Sequence, residues 1–144
     1  MLGCVISAKA ASSNNRRPTM LIDTDVVIWA TRGDASAVQT VDAIDQPALS
    51  IVTVIELMQG ARDARELKNI ERGLDNWGVN VVPINAATGK IARDLIRDHA
   101  LADGLLLADA LVAATAIHNE LPLLSGNRKH FEKIQRLDFR AFMR

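Results

Sequence analysis

From Met20 onward, short apolar runs closed by turn-forming residues alternate with longer stretches whose apolar positions recur at helical spacing. Met20-Leu21-Ile22 stops at Asp23-Thr24-Asp25, and Pro47-Ala48-Leu49 stops at Ser50. The run 79–84 is closed by Pro83 and Asn85, and Pro122-Leu123-Leu124-Ser125 runs into Gly126-Asn127. Short, continuously apolar runs of this kind predict strands covered on both faces in a parallel sheet. A last, edge-type strand is expected within 134–142. Between the strands the spacing predicts helices near 26–31, with Asp25 or Asp23 as the cap, and over 35–44, with Ala37, Val38, Val41 and Ile44 inward. Further helices are predicted from Thr53 to Gly60, over 63–77 (Leu67, Ile70, Leu74 and Trp77 on one face), over 86–100 (Ile91, Leu95 and Ile96 inward) and over 128–133. The stretch 105–117 differs in kind. It is apolar nearly all round, interrupted by Asp109 and Thr115, which predicts a buried helix. Strands alternating with helices imply an α/β fold: right-handed crossovers and a parallel sheet between helices.

The length, 144 residues, suits one domain, and 49% hydrophobic with 24% charged residues suits a soluble globular chain. Aromatic residues make up only 3%, with no Tyr, so the core is aliphatic and single-strand binding on aromatic stacking platforms is disfavoured. No apolar stretch approaches the ~20 residues of a membrane span, so no membrane partner is expected and the cytoplasm is the expected location. Residues 1–19 depart from the pattern. Ser12-Ser13-Asn14-Asn15-Arg16-Arg17-Pro18 is polar and breaker-rich, and the arginine pair follows the mildly apolar start instead of preceding it, as a secretory signal requires. These residues are expected to be a disordered extension or a misplaced start, with the domain occupying 20–144.

Lys+Arg and Asp+Glu both number 17, so no basic tail announces a nucleic-acid partner, and only local basic patches remain. The single cysteine, Cys4, excludes an internal disulfide and any multi-cysteine metal site, and the three histidines lack ligand spacing. A metal would therefore be held by carboxylates, which favours Mg²⁺ or Mn²⁺.

Four segments place polar groups beyond strand ends or at helix starts: Asp23, Glu56, Asp109 and Asn127. Each has an ordinary explanation. Asp23 or Asp25 caps a helix; Thr53-x-x-Glu56 matches a capping box; Asp109 complements a helix dipole; Ser125-Gly126-Asn127 makes a side-chain turn. Asp109 strains its explanation, because an ionised carboxylate in so apolar a helix costs several kcal/mol unless paired or metal-bound, and the dipole returns only about 0.3–1 kcal/mol. In open α/β sheets ligands bind outside the carboxyl ends of the strands, where these groups would gather. Clustered carboxylates repel, and a divalent cation resolves the repulsion, activates water and neutralises charge on a phosphoryl group. The chemistry implied is metal-assisted phosphodiester hydrolysis.

The segments Leu21-Ile22-Asp23-Thr24-Asp25-Val26-Val27-Ile28-Trp29, Val54-Ile55-Glu56-Leu57-Met58-Gln59-Gly60-Ala61, Asp109-Ala110-Leu111-Val112-Ala113-Ala114-Thr115-Ala116 and Leu121 to Phe131 occur in one order over about 20–140. In that combination the chain resembles the PIN-domain ribonucleases, and most closely the VapC-type toxins of toxin–antitoxin pairs. The resemblance implies a PIN-like three-layer fold with a five-stranded parallel sheet, and a metal-dependent endoribonuclease. It places Asp23, Glu56 and Asp109 on the family's acidic, metal-holding positions, and Asn127 on a fourth where many members carry Asp and others Asn. An amide can orient water or coordinate but cannot act as a base. Asp25 falls where the family often has Asn and is expected to support, as are Thr24 and Ser125. The resemblance also implies an RNA substrate, a homodimer and a cognate antitoxin. Arg62, Arg65, Arg128 and Lys129 follow two of the motif segments and are candidates for a phosphate-binding rim, although a solvated charged face explains each singly.

Two rival readings share these residues. In a phosphatase of the haloacid-dehalogenase type, Asp23 would be the nucleophile and Asp25 the acid/base, but the late paired acids of that pattern are missing. A degenerate PIN module would bind RNA or a partner without cutting, a reading invited by Asn127.

Overall fold

The structure is a computed structural model that describes residues 16–144. Residues 1–15, including Cys4 and most of the expected extension, lie outside the described residues. Five strands form one all-parallel sheet: β1 (Met20–Ile22), β2 (Pro47–Ser50), β3 (Asn80–Val82), β4 (Leu123–Ser125) and β5 (Phe139–Ala141), in the order β3-β2-β1-β4-β5. Seven helices alternate with them among the described residues: α1 (Thr24–Thr31), α2 (Ala35–Asp42), α3 (Ile51–Gln59), α4 (Ala64–Trp77), α5 (Ala86–Asp103), α6 (Leu107–His118) and α7 (Arg128–Phe131). Before β1, the Thr19 backbone N–H donates to the Gln46 carbonyl at 3.0 Å, its hydroxyl donates to the Asp45 carbonyl, and Arg16 meets the Asp45 carboxylate at 3.4 Å.

The strands are apolar throughout because each side of the sheet is covered. Successive side chains point to opposite faces. Leu21, Ala48 and Leu123 join one core with α5 and α6, where Leu95, Val112 and Ala113 are buried. Their neighbours Ile22, Leu49 and Leu124 join a second core with α1, α2 and α4, built on Val26, Val27, Val41 and Trp77. Ala110, Ala113, Ala114 and Ala116 let α6 lie close to its neighbours, as the nearly all-round apolar pattern requires. Its first turn departs from that pattern: Leu106 and Leu107 are exposed.

Several boundaries differ from the sequence pattern. The first helix begins at Thr24, with Asp23 as its cap, two residues earlier than expected. The third begins at Ile51, because Ser50 takes the cap and accepts from the Val52 N–H at 3.1 Å. The Thr53–Glu56 capping box therefore does not form, and Glu56 lies past the first turn. The strand expected over 79–84 is confined to 80–82, ahead of Pro83, which has no N–H to offer a ladder. α5 continues past residue 100 to Gly104, whose φ of 71° suits a left-handed stop. None of the described helices is long and apolar enough to cross a membrane.

Candidate active site

The sheet order reverses at β1, which leads to α1 on one side of the sheet while its neighbour β4 is reached through α5 and α6. At such a switch point the connections diverge and leave a crevice outside the carboxyl ends of the strands. Asp23 follows β1, Ser125 ends β4, and Asp109 sits in the first turn of α6.

Asp23 is buried, with 7% of its surface exposed. Its Oδ1 accepts from the Thr24 N–H at 2.8 Å and its Oδ2 from the Ser125 hydroxyl at 2.7 Å. Asp25, the other acid of the motif, does not cap α1. It accepts from the Val26 N–H at 2.7 Å and, across the sheet, from the Gly126 N–H at 3.0 Å. Gly126 is required there: a Cβ would lie 2.6 and 2.7 Å from the Trp29 ring and 3.0 Å from Asp25 Oδ2.

These acids share one field. Burial pushes the Asp23 carboxyl up to about 7, and Asp25 and Asp109 add to the rise, against the pull of the Ser125 hydroxyl and the Thr24 N–H. Asp25 is raised as well, chiefly by burial, with Asp109 contributing and the Val26 and Gly126 N–H groups opposing. Carboxylates that share a site disfavour one another's ionisation. Among the described residues the partners of Asp23 and Asp25 are hydroxyl and amide donors, with no lysine or arginine.

Glu56 joins this group from α3. Its Oε1 accepts from the Thr24 hydroxyl at 2.8 Å, and that hydroxyl is 3.0 Å from the Thr53 hydroxyl. Thr24, next to Asp23, thus ties the glutamate to the acid cluster. Asp109 Oδ2 accepts from the Leu106 N–H at 3.2 Å and meets His130 Nδ1 at 2.8 Å. Asn127 approaches the same ring nitrogen at 2.8 Å, and its backbone N–H donates to the Ser125 hydroxyl at 3.0 Å. Ser125 therefore donates a hydrogen bond to Asp23 while accepting one from the next turn.

The donor set suits a hard divalent cation. Mg²⁺ is usually held by one or two carboxylates, retaining waters and taking substrate phosphate oxygens. Asp23 and Asp109 supply such oxygens, and a cation would relieve the repulsion that raises Asp23. Among the described residues no three His, Cys, Asp or Glu side chains stand ready to hold a metal ion, so a three-carboxylate set of Asp23, Glu56 and Asp109 is not preassembled. Glu56 is turned to Thr24, and Asp109 is held by Leu106 and His130.

The basic candidates divide into two groups. Arg128 and Lys129 are exposed on α7, directly after Asn127, with Arg128 3.8 Å from Glu132. Arg62, which pairs with Glu66 at 3.0 Å, and Arg65 line a cavity of about 770 Å³ beside Glu56, together with Arg32 and an apolar floor that includes Leu57 and Ile70.

The family model of the PIN domain matches residues 20–137. The chain belongs to the PIN domain family. Within that PIN domain, Ribonuclease VapC1 of Methanocaldococcus jannaschii is similar, being 28% identical over 125 residues, which cover 85% of this chain and 86% of that protein. A solved toxin–antitoxin complex from Klebsiella pneumoniae contains a chain with a TM-score of 0.70 and 28% identity, covering 83% of this PIN domain chain and 95% of its own length. DNA-bound VapBC from Salmonella typhimurium contains one with a TM-score of 0.72 at 15% identity, covering 87% and 98%. At that identity the likeness is one of fold. Membership of the PIN family leaves the haloacid-dehalogenase alternative without support.

Sequence reasoning passed over His130, which stands between Asp109 and Asn127. The only available signal was its place three residues after Asn127, within one turn.

Proposed function

We propose that this PIN domain is a metal-dependent endoribonuclease, the toxin of a toxin–antitoxin pair, acting on RNA in the cytoplasm. The observation that carries the proposal is that Asp23 and Asp25 are both raised at the switch point of the sheet, chiefly by burial with Asp109 adding to each, and that neither has a basic partner among the described residues. Similarity to Ribonuclease VapC1 and to a chain of the Klebsiella toxin–antitoxin complex supports the same reading.

Asp23 and Asp109 would hold Mg²⁺ or Mn²⁺, with Glu56 positioned through Thr24 to join them or to orient water. When bound, the ion supplies a water of lowered pKa and neutralises charge developing on the phosphate. Ser125 keeps Asp23 oriented through its hydroxyl bond. Asp25 holds the β4–α7 turn by accepting from Gly126, which sets where Asn127 stands. Asn127 would orient water or a phosphate oxygen as a neutral amide, without serving as a base. Arg128 and Lys129 on the adjoining turn, and Arg62 and Arg65 in the cavity beside Glu56, would hold flanking phosphates.

The cavity lined by Glu56 and by the apolar Ile28, Leu57 and Ile70 would suit a segment of a cognate antitoxin carrying a basic side chain to Glu56. A homodimer is the expected assembly. Cleavage of RNA by the purified chain, with Mg²⁺ or Mn²⁺ and with EDTA, tests the proposal. Activity that survives EDTA, or survives Asp23→Asn, overturns it. Full activity of the toxin–antitoxin complex overturns the blocking role of the antitoxin.

A further inference from the structure

We propose that His130 is a positioning residue, which commits one oxygen of Asp109 and thereby presents the other to the acid cluster. The assignment rests on the metal-nuclease reading of that cluster.

His130 Nδ1 is 2.8 Å from Asp109 Oδ2 and 2.8 Å from the Asn127 side-chain amide. A ring nitrogen either donates or accepts. The hydrogen bond on Nδ1 is the one with Asn127, while Asp109 Oδ2 stands at ion-pair distance; a hydrogen on Nδ1 makes that second contact attractive, since two lone pairs would otherwise oppose each other. The Asn127 amide then satisfies the same N–H best through its carbonyl oxygen, an orientation related to the observed one by a half-turn of the amide. One Nδ1–H thus gathers Asp109 and Asn127, two candidate groups that lie 18 positions apart on different elements.

Asp109 needs such a hold. It shares the crevice with Asp23 and Asp25, and carboxylates in one site repel. The Leu106 N–H at 3.2 Å is the only other donor found on it among the described residues, and it reaches the same oxygen, Oδ2. The Leu106 hydrogen bond and the His130 ion-pair contact both fall on Oδ2, which leaves Oδ1 without a protein partner among the described residues, as a cation ligand must be. His130 can resist the repulsion because its backbone is anchored. The next residue, Phe131, is completely buried, and its ring lies 6.2 Å from that of Phe139 on β5. The imidazole is itself mostly covered, with 19% of the side chain exposed. Hydrogen bonds to ligating carboxylates fix their orientation, and loss of such a partner typically costs about 10–100-fold in metal affinity or activity.

The test compares wild type with His130→Ala, His130→Asn and His130→Gln in the full chain. Asn places an amide N–H where Nδ1 stands, whereas Gln carries its amide one atom further out. The measurements are kcat and KM for RNA cleavage, and the concentration of Mg²⁺ or Mn²⁺ giving half of the maximal thermal shift. Ala and Gln should raise that concentration and lower kcat, each by about 10–100-fold, with KM for RNA little changed. Asn should stay within several-fold of wild type. If Ala lowers the fold's stability too far to assay, the contrast between Asn and Gln carries the result. An ion requirement unchanged from wild type, an effect confined to KM, or equal loss in Asn and Gln overturns the assignment. A protein that fails to cleave RNA yet shows the Asn-over-Gln order in its ion-dependent shift retains the positioning role and overturns the ribonuclease reading.

Discussion

Two sets of aspartates use the same side chain under opposite conditions. Asp34, Asp103 and Asp138 lie away from the crevice, and each meets a cation or a cationic candidate. Asp34 accepts from the Ala37 N–H at 2.9 Å and from Arg144 at 3.2 Å, Asp103 meets His99 at 2.8 Å and Lys133 at 3.3 Å, and Asp138 takes both arms of Arg140 at 2.8 and 3.0 Å. All three carboxyls are held below their ordinary range, Asp34 chiefly by the Ala37 N–H, Asp103 by its hydrogen bond with His99, and Asp138 by Arg140. Asp23 and Asp25 are raised instead, because burial and neighbouring carboxylates outweigh the neutral donors around them. Among the described residues, cations reach these three acids and none reaches Asp23 or Asp25. On the proposed function, that difference marks the strand ends as the place where an external cation would complete the charge.

The comparison breaks most visibly in activity. Asp23→Asn and Asp109→Asn should each lower metal-dependent RNA cleavage by at least about 100-fold, since even loss of an outer partner of a metal ligand costs 10–100-fold. Both variants should remain folded, and without divalent ions Asp23→Asn should melt no lower than wild type, because it removes a repelled carboxylate. Circular dichroism melts beside the cleavage assay check this. Glu56→Gln should also lose activity without loss of stability. The α3 cap is Ser50, so Glu56 has no capping duty to confuse the result. Full activity in Glu56→Gln would leave only the two aspartates as ligands.

The second test is pH. The Asp23 carboxyl is raised in the folded chain from 3.8 to about 7, so the folded state holds a proton that the unfolded state releases. Its contribution is complete below about pH 4 and is lost as pH rises through about 7, on the order of a few kcal/mol at most. Chemical denaturation in EDTA should show stability falling across that window in wild type, with the slope flattened in Asp23→Asn. Added Mg²⁺ should oppose the loss at pH 7 and above. An identical slope in the two proteins would mean that Asp23 is not the raised group.

Packing gives the next smaller effect. Gly126→Ala forces a methyl group against Trp29 and Asp25, and overpacking of this kind costs about 1–3 kcal/mol. Denaturation should show that loss, and cleavage should fall with it, because Asp25 and the Asn127 turn must shift. Ser50→Ala should cost about 1 kcal/mol by removing a helix cap, with kcat unchanged. Asp138→Asn, the smallest, should leave cleavage untouched and the melt nearly so, as expected of an exposed pair with Arg140. A large activity loss there would erase the distinction between the two sets of aspartates.

The sequence by itself determined the layers of this protein and the places where its acids would gather. Strand and helix periodicities are local, so the apolar runs ending at Ile22, Ser50 and Ser125 could be read directly, as could the buried character of α6. A carboxylate after a buried strand is also a local signal, which is why Asp23 stood out before any contact was known. Boundaries were less legible where two residues compete for one role. Asp23 and Asp25 both qualify as a cap, and Ser50 lies close enough to Thr53 to take the cap from it. Only the tertiary structure decided the bonds across the sheet: Ser125 to Asp23, over a separation of 102 residues, Gly126 to Asp25, over 101, and Thr24 to Glu56, over 32. It alone brought His130 to Asp109. These contacts follow from the strand order, which sets β4 beside β1, and no local pattern encodes which strands become neighbours. The burial that raises Asp23 is likewise a property of assembled layers, since desolvation comes from residues distant in the chain.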